Sequence, residues 1–404
     1  MAHPIRTIKR YAKETTDDLW AGGRGWILLA VGAGWALSIG VRFVYPALVP
    51  YFQDDFGIGL TTTGLLLTLL WGAYAIGHVP GGFLGDRIGE GTVVVLSTLI
   101  SAGTVLVVAT AINVWMLFAG TIVFGLATAL YGPTRFTIFT DIYPNRAGSA
   151  IGLTMAAGNL GNTVFPVAAA VIASYTTWRY GIGSFSPLFL GVAVGLWMAV
   201  PNRTSGGGSA VDELSSDTLA RIRSGITRES IPIVVAIQVT ASFVIQGFSS
   251  FYPTYLTVTK GFSPAVAATL FGLFFAVGAV IQPFSGTMLD RLGARPTLVL
   301  YFGGCVAGLW LLPFVDGLVP LVAATVLISS WNGCGVVTQT YIADSLPDDM
   351  QGTGLGTLKA GWMVVGATSP LLIGTLADYG SFDHGFLLLA SVGTVGLLLS
   401  ITRL

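Results

Sequence analysis

The sequence predicts an all-helical integral membrane protein whose twelve transmembrane helices form two pseudo-symmetric six-helix bundles. Three observations support this fold class. The 404-residue chain is 53% hydrophobic and only 9% charged, with a mean hydropathy of +0.78, whereas soluble domains carry roughly 25% charged residues. Twelve apolar segments are each near or above the ~20 residues that a helix needs to cross the hydrocarbon core. Motifs of the first half of the chain also return in the second half.

The twelve apolar segments are separated by short connections, with one exception. They are predicted at 26–52, 61–84, 92–111, 114–138, 148–174, 183–200, 231–257, 264–289, 297–314, 318–341, 353–377 and 385–402. The exception is a polar, glycine-rich stretch after segment 6, which is typical of a linker and includes a predicted interfacial helix at Val211–Arg223. The predicted domains are an N-terminal cytoplasmic segment (1–25), a first bundle (26–200), a cytoplasmic linker (201–230) and a second bundle (231–404).

The distribution of basic residues predicts the orientation in the membrane. Fourteen of the nineteen lysines and arginines lie in terminal segments or connections on one side, and only Arg179 and Lys260 lie on the other. Because basic residues accumulate on the cytoplasmic side, both termini are expected in the cytoplasm and the protein in the plasma (inner) membrane. The first two dozen residues lack a cleavable signal pattern and are interpreted as a surface-lying or frayed segment rather than one with a specific role.

A glycine-rich motif relates the two halves. Residues 82–89 read Gly-Phe-Leu-Gly-Asp-Arg-Ile-Gly after segment 2, and residues 286–293 read Gly-Thr-Met-Leu-Asp-Arg-Leu-Gly after segment 8. This Gly-x-x-x-Asp-Arg-x-Gly pattern resembles the signature of the major facilitator superfamily, and its presence in both halves extends the resemblance over the whole chain. The resemblance implies a secondary transporter that uses rocker-switch alternating access about a site between two bundles.

Three further matches support the internal repeat and fix its register. They pair Tyr45-Pro46 with Tyr252-Pro253, Asp141-x-x-Pro144 with Asp344-x-x-Pro347, and Pro166 with Pro370.

The charged residues of the repeated loops are predicted to form a conformational latch. Asp86 is expected to face the start of segment 11 near Gly352–Gly354, where unpaired amides and the helix dipole favour an anion, and Arg87 to pair with Asp141. By pseudo-symmetry, Asp290 would meet the start of segment 5 near Gly148. The same symmetry pairs Arg291 with Asp344. The resemblance implies that these contacts stabilise an outward-facing state.

The first latch departs from the family pattern, because Glu90-Gly91 stands where the family often has basic residues. The alternative is that a tight loop simply requires glycine and a charged pair.

Three basic residues, Arg42, Arg135 and Lys359, fall inside apolar segments. A cation near the bilayer centre costs about 2.5–3.5 kcal/mol on insertion scales, so it usually faces a wet cavity with a function. None of the nineteen acidic residues lies deep in a segment. The missing counter-anion is therefore predicted to be the substrate.

Polar residues at helical spacing support a central cavity. They lie on one face each of segments 1, 4, 7 and 10, which line the pathway in the family: Ser38, Arg42 and Tyr45; Thr128, Tyr131 and Arg135; Gln238, Ser242, Gln246 and Ser249; Thr325, Ser329, Asn332 and Gln339. The predicted substrate-binding residues are Arg42, Tyr45, Arg135, Tyr252, Asn332, Gln339 and Lys359.

Several of these assignments have alternatives. Arg135 could instead be a gate residue that pairs with Asp141, and Arg135 and Lys359 could both extend to the membrane interface. His78 is the candidate proton site, because it is the one group in the segments that titrates near neutral pH. The alternative is a histidine that is hydrogen-bonded between helices.

The leading functional interpretation is a secondary transporter of a small organic anion, either a carboxylate or an organophosphate. One alternative is an exporter of lipophilic drugs or metabolites, with Trp35, Phe124, Phe248 and Trp362 as its wall; another is a membrane receptor that does not transport. No enzymatic constellation is present, and no cofactor, metal or nucleic acid is expected. Besides the anion, the expected partners are the lipid bilayer and either a co-transported proton or a counter-anion. The family default is a monomer.

Overall fold

The computed structural model describes residues 18–204, 231–345, 351–380 and 382–402. Within these residues, twelve helices are long and apolar enough to cross a membrane, in agreement with the sequence. Residues 1–17 and 205–230, and with them the predicted interfacial helix at Val211–Arg223, lie outside the described part of the chain.

The helices follow the predicted segments to within a few residues at most ends. The first bundle contains α1 (Gly25–Phe56), α2 (Leu60–Ile88), α3 (Glu90–Ala109), α4 (Val114–Ile142), α5 (Ala147–Tyr175) and α6 (Trp178–Gly183 and Phe185–Ala199). The second contains α7 (Ile231–Val258), α8 (Pro264–Leu292), α9 (Ala294–Leu311), α10 (Leu318–Ser329 and Trp331–Ser345), α11 (Gln351–Ala367 and Ser369–Asp378) and α12 (Phe382–Thr402).

The repeated glycine motifs form the same backbone turn in both bundles. Gly89 ends α2 with φ +93°, and Gly293 ends α8 with φ +81°. The N–H of Gly89 donates to the carbonyl of Gly85 (2.9 Å), and the N–H of Gly293 to that of Leu289 (2.8 Å). Glycine is needed because other residues are strained at positive φ. We call the end of the molecule that carries these two turns the motif end, and the other the opposite end.

The start of the linker is packed onto the first of these turns. Arg203 donates to the backbone carbonyls of Asp86 (3.0 Å) and Arg87 (2.9 Å). The Thr204 N–H donates to the carboxylate of Glu90 (2.9 Å), which is almost fully buried. Glu90 therefore has a structural role that accounts for its departure from the family pattern: it anchors the linker to the first bundle.

The two bundles are joined tightly at the opposite end through α2 and α11. The carboxylate of Asp378, the last residue of α11, accepts hydrogen bonds from the N–H groups of Leu60 (2.9 Å) and Thr61 (2.7 Å) at the start of α2. The Leu371 N–H donates to the hydroxyl of Thr68 (3.1 Å). We call the contact of Asp378 with the α2 N-terminus the Asp378 clasp. It satisfies amides that have no partner within their own helix.

The bundles also meet along α1, α5 and α8. The rings of Phe43 and Phe275 lie 4.6 Å apart between centroids, and the Asn159 amide donates to the Gln282 carbonyl oxygen (2.8 Å). Beyond Gln282, towards the motif end, no hydrogen bond or ring contact joins the described residues of α5 and α8; Asp290 and Arg291 are exposed there, and Phe284 is 62% exposed. The opposite end is thus closed, while the α5–α8 seam is open at the motif end.

Helices α10 and α11 are each interrupted, and only the break in α11 lies next to a proline. Pro370 does not bend a continuous helix; α11 is interrupted at Thr368, and Pro370 lies in the first turn of the second segment, where its missing N–H costs nothing. Helix α10 is interrupted at Ser330 without a proline. Cys305 and Cys334 are free and buried.

Replacing Gly89 by alanine should destabilise the protein more than replacing Gly293. Both changes place a Cβ on a residue with positive φ, at about 1–2 kcal/mol. Only at Gly89 would the new Cβ collide with a neighbour, the carbonyl oxygen of Asn202, whereas the space beside Gly293 is open. Thermal unfolding in detergent would measure both, and equal losses would show that the linker does not dock on the turn.

Candidate functional site

Arg42 is completely buried in α1 and lacks a counter-charge. Its Nε donates to the carbonyl of Ser38 (3.0 Å), while its two terminal nitrogens, Nη1 and Nη2, are buried without a hydrogen-bond partner. The guanidinium carbon Cζ lies 3.4 Å from the centroid of the Tyr74 ring and 5.7 Å from that of Trp71. The aromatic side chains stabilise the cation, but they leave the planar fork of donors unused.

Arg135 in α4 is arranged in a similar way. Only 3% of it is exposed, its Cζ lies 3.3 Å from the Trp35 ring centroid, and its Nε and Nη1 have no partner. Nη2 makes one weak contact, with the sulfur of Met155 (3.6 Å). No described carboxylate forms an ion pair with it, so the alternative of a gate pair with Asp141 is not realised in this conformation.

The three basic residues within the membrane-spanning helices all lie near α2. Arg42, Arg135 and Lys359 are all close enough to the Tyr74 side chain to interact with it electrostatically, and all three act in the same way on His78. Lys359 is half-buried in α11, so it reaches this group from the second bundle. The structure therefore brings together the three basic residues that the sequence selected, in a region where no described acidic residue neutralises them.

The two predicted tyrosines lie in the cores of their own bundles. Tyr45 is stacked on Phe124 with ring centroids 5.8 Å apart. Tyr252 is stacked on Phe248 (4.5 Å), and its hydroxyl is hydrogen-bonded to Thr325. The Tyr45 hydroxyl has no partner, so of the two only Tyr45 keeps a free polar group.

Most of the predicted polar stripes are satisfied within each bundle. Ser38 donates to the Thr128 carbonyl (3.3 Å), Tyr131 to the Val31 carbonyl (2.9 Å), and Asn332 to the Ser329 carbonyl (3.0 Å). Gln339 is half-buried. The Ser38 and Tyr131 bonds join α1 to α4, and the Asn332 bond spans the break in α10; having these partners distinguishes the three residues from Arg42 and Arg135.

His78 has a defined hydrogen bond. Its Nδ1 lies 2.8 Å from the Tyr74 backbone carbonyl, which can only accept, so Nδ1 carries the proton and Nε2 is the acceptor. The ring is half-buried and packs edge-on against Tyr74 with centroids 4.4 Å apart. The bond runs to the preceding turn of the same helix and not between helices, and it leaves Nε2 available for a proton.

The predicted pairing of Arg87 with Asp141 in the latch is not formed in this conformation. Arg87 is stacked on Phe83 (4.2 Å from Cζ to the ring centroid) instead of pairing with Asp141, whose carboxylate accepts a hydrogen bond from the Thr204 hydroxyl (3.0 Å). Asp290 and Arg291 form no hydrogen bond or ion pair with any described residue. Asp344 and Gly352–Gly354 lie outside the described side chains, so their contacts with Arg291 and Asp86 stay predictions.

Comparison with known proteins identifies the family. The sequence model of the Major Facilitator Superfamily matches residues 30–336 and 234–404. The chain belongs to this superfamily. A probable sulfoacetate transporter, SauU, of Cupriavidus necator is 22% identical over 381 residues, covering 87% of each protein. The glycerol-3-phosphate transporter of Bacillus subtilis is 22% identical over 419 residues, covering 96% of this chain and 94% of the relative.

Solved structures confirm the superfamily fold. The crystal structure of a D-xylose–proton symporter superposes with a TM-score of 0.77 over 94% of this chain and 97% of the symporter, at 16% sequence identity. The chain is thus a multi-pass membrane transporter of the superfamily and not an enzyme. The predicted two-bundle architecture is confirmed.

Two site residues of this superfamily member were missed in the sequence. Trp71 and Tyr74 in α2 form the aromatic surface against which Arg42 packs. They share one helix face with His78 at positions i, i+3 and i+7, so the spacing was available as a signal. An aromatic stripe is a weak signal, because aromatic residues are common in membrane helices, whereas the stripes on segments 1, 4, 7 and 10 are polar.

Replacing Arg42 by methionine should raise the unfolding temperature of the ligand-free protein. A buried cation without a partner loses its hydration, and exchanging buried charges for apolar groups of similar volume is neutral or stabilising by about 1–4 kcal/mol. Methionine also keeps contact with the Tyr74 ring. Thermal unfolding of the purified protein measures the change.

Arg179→Met is the matched control, because Arg179 pairs with Asp55 (2.7 Å) and donates to the Ala111 carbonyl (2.9 Å). This variant should unfold at a lower temperature. A fall in unfolding temperature for Arg42→Met would instead show that Arg42 is a structural residue.

Proposed function

We propose that the protein is a secondary transporter that moves a small organic anion, a carboxylate or an organophosphate, across the membrane. The observation that carries this proposal is the buried, unpaired donor fork of Arg42 beside Arg135 and Lys359. A planar guanidinium binds carboxylate and phosphate oxygens through two parallel hydrogen bonds. An anion in this position would supply both the missing charge and the missing acceptors.

Its relatives support the same class of substrate. Sulfoacetate and glycerol 3-phosphate, which name two of them, are small organic anions. Lys359 would act as a point charge at the entrance, and Tyr45, Tyr252, Asn332 and Gln339 would shape the cavity around the arginines.

Transport would follow a rocker-switch mechanism. The closed opposite end and the open α5–α8 seam at the motif end correspond to an inward-facing state if the motif end is cytoplasmic. This orientation follows from the basic residues and places both termini in the cytoplasm of a plasma-membrane protein, which we take to be a monomer. The outward-facing state would form when the Asp378 clasp opens and the latch residues Asp86, Arg87, Asp141, Asp290, Arg291 and Asp344 engage.

Coupling would use either a proton or a counter-anion. His78 is the candidate proton carrier, because its Nε2 is an acceptor next to the three cations. Bound anion would lower the local positive charge and so favour protonation of the ring. An exchange of one anion for another would need no such group.

Carboxylates or phosphate esters should stabilise the detergent-purified protein against heat, and Arg42→Gln should abolish the effect. A ligand that binds the folded state stabilises it by mass action, by about 2.7 kcal/mol at a hundredfold excess over Kd. The measurement is a thermal-shift panel of carboxylates, phosphate esters and lipophilic cations on both proteins.

Arg179→Gln, at a cation outside the site, should keep the ligand effect and serves as the control. Stabilisation by lipophilic cations alone, unchanged in Arg42→Gln, would contradict the anion site and favour an exporter of lipophilic compounds. Binding of anions without flux in proteoliposomes would favour a receptor.

Asp378→Ala should open the opposite end more often. Loss of a carboxylate cap costs roughly 1 kcal/mol, which changes the ratio of two states about fivefold. The reporter is maleimide labelling of Thr63→Cys, since Thr63 lies next to the clasp and is fully buried. Labelling should accelerate in Asp378→Ala.

The control is Asp383→Ala, since Asp383 accepts a hydrogen bond from Tyr255 (2.6 Å) within the second bundle. Equal labelling rates in the two variants would show that the Asp378 clasp does not govern access.

A further inference from the structure

The internal repeat assigns a counterpart in the second bundle to each component of the cationic site. The Tyr-Pro pairs align Arg42 with Ser249 and Trp35 with Ser242. The glycine motifs align Tyr74 with Gly278, and the Asp-x-x-Pro motifs align Arg135 with Thr338. Both arginines and the ring nearest to each, Tyr74 and Trp35, thus correspond to small residues, and three of these four carry a hydroxyl group; Trp71 corresponds to Phe275 and stays aromatic.

The structure shows neutral polar groups at these positions. Ser249 is fully buried, and its hydroxyl has no hydrogen-bond partner. The Thr338 hydroxyl is bonded to the side-chain oxygen of Gln238. A Cβ on Gly278 would collide with the amide group of Asn332, so this amide packs directly against the position that corresponds to Tyr74.

Both buried arginines of the central region therefore belong to the first bundle. Lys359 comes from the second bundle, but it acts on Tyr74 and His78 of the first. At the positions of the second bundle that correspond to Arg42 and Tyr74, the polar groups are the hydroxyl of Ser249 and the amide of Asn332. Hydroxyl and amide groups both donate and accept hydrogen bonds. They carry no charge, so they would not compensate a second anionic group on a substrate.

We propose that the substrate is a hydroxylated organic anion, whose charged group binds Arg42 in the first bundle and whose hydroxyl groups bind Ser249 and Asn332 in the second. This inference rests on the proposed function and deepens it. A hydroxyl on the substrate would supply the partner that the buried Ser249 lacks. A site built for hydroxyl groups discriminates against an analogue without them, because its own polar groups then stay unpaired.

Two ligand pairs of equal carbon chain length test the proposal: gluconate against hexanoate, and glycerol 3-phosphate against propyl phosphate. The measurement is apparent affinity from thermal-shift titrations of the full-length purified protein. In at least one pair the hydroxylated anion should bind about tenfold or more tightly, and the pair that shows the difference identifies the anionic group as a carboxylate or a phosphate ester. Ser249→Ala should reduce this preference several-fold.

Ser250→Ala is the matched control. Ser250 is the next residue of α7, is also fully buried, and also has an unpartnered hydroxyl, but it lies on a different face of the helix. It should leave the preference unchanged. A preference that depends on Ser250 and not on Ser249 would overturn the assignment.

The outcomes separate this inference from the proposed function. Equal binding of both members in each pair, with loss of all binding in Arg42→Gln, would overturn the hydroxylated substrate while the anion transporter stands. Absence of stabilisation by any of the four anions in the wild-type protein would overturn both.

Discussion

Two arginine side chains without counter-charges, buried among aromatic rings, impose the main constraint on this structure. Desolvating a guanidinium costs several kcal/mol, and the rings of Tyr74 and Trp35 recover only part of that as cation–π energy, about 2 kcal/mol or more per desolvated contact. The rest has no compensation from any described residue. A bundle that keeps such residues gives up stability; under the proposed function, the gain would be a preorganised site whose donors need no rearrangement before an anion binds.

Other buried polar groups of the bundles have hydrogen-bond partners close at hand. Ser38, Tyr131 and Asn332 are hydrogen-bonded within their own bundles, so each bundle is a rigid unit. Rigid units can move against each other only where the contacts between them are few and local. The Asp378 clasp, the Thr68 contact and the Asn159–Gln282 hydrogen bond are contacts of this kind.

Both ends of α2 are contacted by residues from distant parts of the chain. Its first turn is capped by Asp378 of the second bundle, and its last turn carries Asp86 and is covered by Arg203 of the linker. The linker residue donates to the carbonyl groups that end the helix, where positive charge is favourable. The start of the linker is therefore fastened to the first bundle at the motif turn.

Sequence and structure contribute unequally to the site. The sequence predicts Arg42, Arg135 and Lys359 as site residues, because a charged residue within an apolar segment is recognisable without a structure. It does not predict Tyr74 and Trp71, since aromatic residues are ordinary in a membrane helix and only their position under Arg42 makes them part of the site. For Tyr45 and Tyr252, the sequence position predicted side chains at the cavity, whereas in the structure their rings are packed in the cores of the bundles.

What the sequence determined by itself is the number of helices, their membrane-spanning character and the internal repeat. Each of these depends on local hydrophobicity and on short motifs with a fixed backbone requirement, such as glycine at positive φ in the turns after α2 and α8. Only the tertiary structure decided which charged groups meet, because those contacts join residues far apart in the chain. Thr204 bonds to Asp141, and Asp378 caps α2. Arg87, which the sequence pairs with Asp141, stacks on Phe83 instead.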